Sequence, residues 1–247
     1  MLKEGDIVIQ LRLDFQLVNP ELPREMDRLF VSFFKAALEN YSEELFEELY
    51  DKKRSIIKPF TYSLLLPQAR FTKEKIKLGQ TFFAMFFSDA DVGQLIHFFN
   101  AFKLMVNKTY PVQENSMQLI KIGTQKRQKI TDSEIIVKMQ SSLVVRRHHS
   151  ETNHDEYFTY DHAEFGQVLK ENVETFLEKL NIPVSMEGFS VTPIKGKKIV
   201  ADIFGRKTDA NIGIYKLTGS PELLNILYLS GIGSRRSEGH GKFEIIW

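Results

Sequence analysis

A chain of 247 residues with 33 Lys and Arg against 32 Asp and Glu has a formal net charge of +1, which argues against a uniformly basic, histone-like nucleic-acid binder. Its 43% hydrophobic residues, 20 Phe among them, provide for packed cores and exclude global disorder. The absence of cysteine removes disulfides, thiolate zinc sites and cysteine nucleophiles together.

No apolar run approaches the roughly 18 residues that span a bilayer. The acidic N-terminus lacks the apolar core of a secretory signal, so the chain is expected to be soluble and cytoplasmic, with no membrane partner. Ile7, Ile9, Leu11, Leu13 and Phe15 alternate with polar residues, the period of a half-buried strand. After Pro20 the period becomes helical: Met26, Leu29, Phe30, Phe33, Ala37 and Leu38 predict a helix over 23–39, with Pro23 at its start. A shorter helix is predicted from Ser42, its cap, to Tyr50. Strands at Phe60–Leu66 and Thr81–Phe87 follow, joined by a basic connection, then a helix holding Leu95, Ile96, Phe99 and Phe102, and a strand over 117–122.

The second half repeats this grammar. Strands are predicted at 134–145 and 156–160, and a helix opening near Asp161 has a buried stripe of Phe165, Val168, Leu169, Phe176 and Leu177. Strands at 185–192, 198–204 and 211–218 lead to a helix from Pro221 that ends at Gly231, and a last strand runs over 242–247. The expected fold is α+β, two tandem ferredoxin-like (RRM-like) domains over 1–122 and 123–247, with the polar, basic stretch Gly123 to Thr131 as an exposed junction.

Positive charge is clustered at Lys52–Arg54 and Lys58, Arg70–Lys77, Lys121–Lys129, Arg146 and Arg147, Lys195–Lys198, and Arg206, Lys207, Arg235 and Arg236. The expectation is a basic surface across both domains, with the acidic faces Glu43–Glu48 and Glu164–Glu178 turned away. The alternative is that these cations are solvated turn residues. The strongest motif is G-x-G-x5-G-x-G between the last helix and the last strand, from Gly231 to Gly241. Glycines let backbone N–H groups gather around an anion, and Arg235 and Arg236 would add phosphate-directed donors. The phosphate-binding candidates are therefore Gly231, Gly233, Ser234, Arg235, Arg236, Ser237, Gly239, His240 and Gly241, with Arg146 and Arg147. A purely structural glycine turn is the alternative. The loop lacks the Gly-Lys-Ser/Thr ending of a P-loop and follows a helix, unlike a dinucleotide fingerprint.

This loop, the Pro221-Glu222-Leu223-Leu224 entry to the preceding helix and the segment Lys58-Pro59-Phe60-Thr61-Tyr62-Ser63 together resemble the CRISPR-associated repeat-RNA endoribonucleases, the "Cas six" family of the RAMP superfamily. The resemblance implies metal-independent, cofactor-free cleavage of repeat RNA in the precursor transcript. The 2′-hydroxyl attacks the adjacent phosphate, leaving a 2′,3′-cyclic phosphate and a 5′-hydroxyl. It implies CRISPR repeat RNA as partner, which makes the phosphate-binding candidates RNA-binding ones, and leaves open a non-catalytic RNA-binding role, membership of an interference ribonucleoprotein complex and a homodimer.

Many members carry a histidine shortly before the Lys-Pro-Phe-Thr segment; here Leu49-Tyr50 stands there, and the first histidine is His97. Members without that histidine rely on lysine, arginine or tyrosine. Tyr50 is thus expected to transfer or position a proton, its pKa lowered by neighbouring cations. Lys52 and Arg54 would stabilise the phosphorane, and Tyr41 and Lys53 stand in reserve. The alternative is that Tyr50 packs on Phe46 one turn earlier. His148, His149, His154 and His162 match no usual metal-ligand spacing, so no metal site is expected. RNA contact is preferred for Arg146, Arg147 and His149; His240 would stack on a base, bind phosphate or simply pack.

Overall fold

The structure, a computed structural model, describes residues 7–51 and 56–247. Strand β1 (Ile7–Leu17) points Leu11, Leu13, Phe15 and Leu17 to one face, as its alternation predicts. The short β2 (Glu21–Pro23) precedes α1 (Met26–Glu39), which buries Leu29, Phe30, Phe33, Phe34, Ala37 and Leu38. Pro23 therefore ends a strand and does not open the helix. Helix α2 (Glu43–Tyr50) is capped by the Ser42 side chain, which accepts from the Leu45 N–H. Then come β3 (Phe60–Leu65), β4 (Arg70–Phe71), β5 (Lys75–Lys77), β6 (Phe82–Asp89), α3 (Val92–Met105), β7 (Thr109–Val112) and β8 (Asn115–Gln128).

The main sheet has the order β3-β6-β1-β8-β7, all antiparallel, so β1, α1, β3, β6, α3 and β8 form the βαββαβ unit of a ferredoxin-like fold. Its core is aromatic: the Phe34 ring meets those of Phe60, Tyr62, Phe87, Phe98 and Phe102. The expected basic connection between β3 and β6 is partly strand, because β5 pairs with β2 on one side and β4 on the other in a small sheet of their own. The expected exposed junction is also strand. Polar residues continue β8 to Gln128, opposite Ile7, and their alternation with half-buried Ile120, Ile122 and Gly123 was masked by charge.

The second unit begins with β9 (Glu134–Met139), followed by the hairpin β10 (Arg146–His149) and β11 (His154–Tyr157), then α4 (Phe165–Lys179). Strand β9 stops short of 145, and Leu143 to Val145 instead run buried beneath the glycine-rich loop. The three strands expected over 185–218 are one long hairpin, β12 (Ser190–Ile203) and β13 (Arg206–Thr218), paired from Ser190↔Thr218 to Ile203↔Arg206. Its turn places Phe204 and Gly205 at φ 48° and 79°, the conformation of a two-residue type I′ loop. Helix α5 (Pro221–Ser230), capped by Ser220 and stopped by Gly231, and β14 (Phe243–Ile245) complete the unit. The order β12-β13-β9-β14 gives a second βαββαβ arrangement. Among the described residues no helix is long and apolar enough to cross a membrane.

Two sets of contacts join the units. The β12–β13 turn docks on the start of α1: the Phe204 N–H donates to the buried Asp27 carboxylate, Arg28 donates to the Phe204 carbonyl at 2.8 Å, and Arg24 pairs with Asp202 at 2.8 Å. At the other end, Thr61 donates to the His240 carbonyl at 2.9 Å and Ser88 to the Leu229 carbonyl at 2.7 Å. Asp27→Ala removes the acceptor and leaves the partly buried Phe204 N–H unpaired, so the expected loss is about 1 kcal/mol, read as a lowered denaturation midpoint.

Candidate nucleic-acid interface

The glycine-rich loop starts where Gly231, at φ 78°, turns the chain out of α5. Ile232 donates to the Gly241 carbonyl at 2.9 Å, Gly241 to Ser142 at 2.9 Å, and Ser234 to Val144 at 2.8 Å. The glycines serve this close packing. A Cβ on Gly241 would lie 1.9 Å from the Ile232 carbonyl oxygen, and one on Gly233 2.4 Å from that of Val144, both at positive φ. These three N–H groups are thus spent on the protein's own carbonyls, so the two ends of the loop are a scaffold for the turn between them.

The two arginines it carries have different fates. Arg235 sits in the left-handed region at φ 60°, with its guanidinium 3.4 Å from Glu238 and 4.0 Å from Asp155. Arg236 turns inward: it stacks 3.7 Å from the centroid of Phe176 and donates to the Gly233 carbonyl at 3.1 Å. Burial lowers its pKa to about 9. It therefore holds the loop to α4 and is not an outward phosphate donor. Ser234 is likewise engaged, donating to Asn172 at 3.0 Å. His240 is buried with Nδ1 2.7 Å from Ser142 Oγ, and burial lowers its pKa to about 4. A neutral, enclosed imidazole stacks on no base, so packing is its role; its Nε2 has no partner among the described residues.

Beside the loop opens a cleft of about 660 Å³ whose charged lining includes Lys58, Arg146, Arg147, Lys179, Arg235 and Glu238. Sequence-distant cations converge here as expected, but they are not segregated from acids. Arg147 pairs with Glu171 and Glu164 at 3.0 Å each, and Arg146 with Asp155 at 2.8 Å. These carboxylates come from different elements, Glu171 from α4, Glu164 from the residue that precedes it and Asp155 from β11, so helix and hairpin both set acids on the two arginines.

Tyr50 borders the same region. Its ring stacks on Phe46 at 6.0 Å, with Lys35 Nζ 5.1 Å and Lys58 Nζ 4.6 Å from the ring centroid. Its hydroxyl is buried without a partner among the described residues, and burial, reinforced by Glu238, raises its pKa. The expected lowering by cations does not occur: the lysines lie over the ring while the oxygen is dry. Tyr50 is a platform for lysines, not a proton carrier. Tyr41 is held on the His97 Nδ1 at 3.1 Å, away from the cleft lining. Lys52, Lys53 and Arg54 lie outside the described residues. Lys35, Lys58 and Glu238 were not chosen from sequence as site residues, although Lys58 opens the Lys-Pro-Phe-Thr-Tyr-Ser segment and Glu238 lies within the loop.

With this geometry in view, residues 125–245 match the family model for CRISPR associated protein Cas6, C-terminal. The C-terminal half of the chain belongs to the Cas6 family. Solved structures show the same fold along its length. A RAMP protein described as binding different RNA substrates is 16% identical, with TM-score 0.82 over 97% of this chain and 100% of its own. A Cas6-related protein from Pyrococcus furiosus is 15% identical, with TM-score 0.83 over 96% and 98%. A Cas6 in a product complex is 14% identical, with TM-score 0.69 over 96% and 99%. No curated protein matches the sequence.

In this chain a further cation supports the loop from below. Lys242, 1% exposed, donates to Ser88 Oγ at 2.6 Å across the seam. Burial first, then Arg127, lower its pKa to about 7, against 10.5 for the free side chain. Between those values the folded state binds fewer protons than the unfolded chain, so this residue costs stability progressively as pH falls from 10.5 and fully below about 7. Chemical denaturation at several pH values should show wild-type stability rising with pH above 7 more steeply than that of Lys242→Met.

Proposed function

We propose that this chain is a metal-independent endoribonuclease that cuts CRISPR repeat RNA in the precursor transcript to give guide RNAs. The reading is carried by the cleft in which the rigid loop sets Arg235 near Lys58, with Lys35 and Tyr50 beside it. Cleavage by the 2′-hydroxyl adds negative charge at phosphorus in the transition state, and fixed cations in a partly dry site stabilise that charge without reorganising. Lys58 and Arg235 serve the phosphorane. Lys52 and Arg54, in the short connection from Tyr50 to Lys58, join them, and the products are a 2′,3′-cyclic phosphate and a 5′-hydroxyl.

Arg146 and Arg147 bind RNA at the outer side of the cleft, where phosphates compete with Asp155, Glu164 and Glu171. We place the division between the two units after Gln128, so that the RNA crosses the seam. The RNA-substrate and product complexes of the similar proteins agree with this reading. A non-catalytic, repeat-RNA-binding role is the second reading, favoured by the ion-paired arginines and by a buried tyrosine where relatives carry histidine.

Synthetic repeat RNA incubated with the protein in EDTA separates the two. Cleavage to a cyclic-phosphate end is expected, with a rate about 10²–10³-fold lower in Arg235→Ala, the usual cost of removing one transition-state donor. Binding without cutting favours the second reading, and cutting that stops in EDTA overturns the metal-independent mechanism. Affinity should also fall steeply with salt, with a log–log slope of about −0.7 per phosphate neutralised in a single strand.

A further inference from the structure

Cleavage by a 2′-hydroxyl needs a group that removes its proton, and Tyr50 is not that group. Among the described residues lining the basic cleft, the side chains able to accept a proton are Glu171, His148 and Glu238. Glu171 is clamped by Arg147 through hydrogen bonds of 3.1 and 3.0 Å, which hold its pKa below the ordinary value. His148, held through Nδ1 by Asp155 at 2.8 Å on the β10–β11 hairpin, keeps Nε2 as an acceptor, but its side chain is 47% exposed and paired away from Lys58. Glu238 is the acceptor that faces both Arg235 and Lys58.

Its position is unlike that of the other carboxylates. It ends the 3-10 turn Arg236–Glu238, which the glycine-rich loop fixes in place, and its side chain is 18% exposed. It lines both the basic cleft and a second cleft of about 480 Å³ between β3 and β12, so it stands in the wall between them. Arg235 lies 3.4 Å away, and Lys58, Asp27, Tyr50 and Tyr62 are within electrostatic reach.

We propose that Glu238 is the proton acceptor of the cleavage reaction, an assignment that rests on the endoribonuclease reading. The 2′-oxygen bonds to phosphorus as its proton passes to the Glu238 carboxylate. The bond from phosphorus to the 5′-oxygen breaks, its electron pair stays on that oxygen, and the oxygen takes a proton from the Lys58 ammonium. Proton return from Glu238 to Lys58, directly or through water, restores both groups, so no co-reactant is consumed. Arg235 keeps the carboxylate oriented and stabilises the phosphorane beside it.

The surroundings suit this exchange. Burial raises the Glu238 pKa against the pull of Arg235 and Lys58, with Asp27 adding to the rise. Burial lowers that of Lys58, with Lys35 adding to it and Glu238 opposing. Acceptor and donor both move toward neutrality, where general acid–base catalysis is most effective.

The test is single-turnover cleavage of repeat RNA across pH by wild type and Glu238→Gln, which keeps an acceptor for Arg235. The expected result is a fall of about 10²–10⁴-fold, the usual contribution of a general base, with unchanged affinity for 2′-deoxy repeat RNA and loss of the acid limb of the pH–rate profile. Wild-type rate in Glu238→Gln overturns the assignment, as does a slow variant that retains the acid limb, which would make Glu238 only a support for Arg235. If Glu238→Gln fails to fold, the wild-type profile decides: an acid limb above the ordinary carboxylate range supports the proposal and its absence overturns it. A wild type that binds but never cuts overturns the endoribonuclease reading itself, an outcome distinct from active wild type with an undiminished variant.

Discussion

The loop from Gly231 to Gly241 folds on itself through one close backbone approach, Gly241 against the Ile232 carbonyl, and everything at the cleft depends on it. That approach leaves no room for a Cβ, brings the loop's ends together, and places Arg235, Arg236 and Glu238 on a short turn between them. The turn is then fixed from three sides: Thr61 of β3 holds the His240 carbonyl, Val144 accepts from Ser234, and Phe176 of α4 receives the Arg236 guanidinium. Because those anchors come from both units, the loop sets their relation as well as its own shape. A left-handed arginine, which costs about 1–2 kcal/mol of local strain, is sustained at position 235 by this over-determined frame.

Burying Arg236, His240 and Lys242 within one loop is costly unless each finds compensation. None is given a carboxylate partner among the described residues; an aromatic face, a serine hydroxyl and another serine hydroxyl stand in. The consequence is visible in their pKa values, pushed down to about 9, about 4 and about 7. Arg236 stays protonated at neutral pH, His240 is neutral, and Lys242 is balanced between forms. The floor of the loop therefore carries positive potential with little water to screen it, a setting that favours an approaching phosphate over bulk solvent.

Much of the fold was legible in the sequence because periodicity reports burial directly: the stripes of α1 and α4 and the alternation of β1 from Leu11 to Phe15 are where they were expected, although Ile9 at the start of β1 is exposed. The misreadings share a cause. Residues 123–128, 193–197 and 206–210 continue strands through polar, largely charged sequence, and such sequence reads as loop. The site was less legible. Composition identified the loop, but not that Arg236 and His240 point inward, since direction is set by Phe176 and Ser142 from distant segments. Tyr50 was chosen for its place in the chain and its neighbours in sequence, whereas its chemistry is decided by burial of the hydroxyl and by Lys35 and Lys58 over its ring.

The net charge of +1 gains a different meaning from the structure. Acids do not withdraw to a remote face; Asp155, Glu164 and Glu171 sit on the arginines of the cleft. Each exposed pair is worth little, roughly 0–1 kcal/mol, so a single phosphate gains little by displacing a carboxylate at one of them. A polyanion that engages several positions at once, tethered along its backbone, displaces them together because each later contact is intramolecular. The same carboxylates hold the arginines in place at the cleft, so the expected separation of a basic face from an acidic one is replaced by paired charge, and any phosphate that reaches these arginines must compete with Asp155, Glu164 and Glu171.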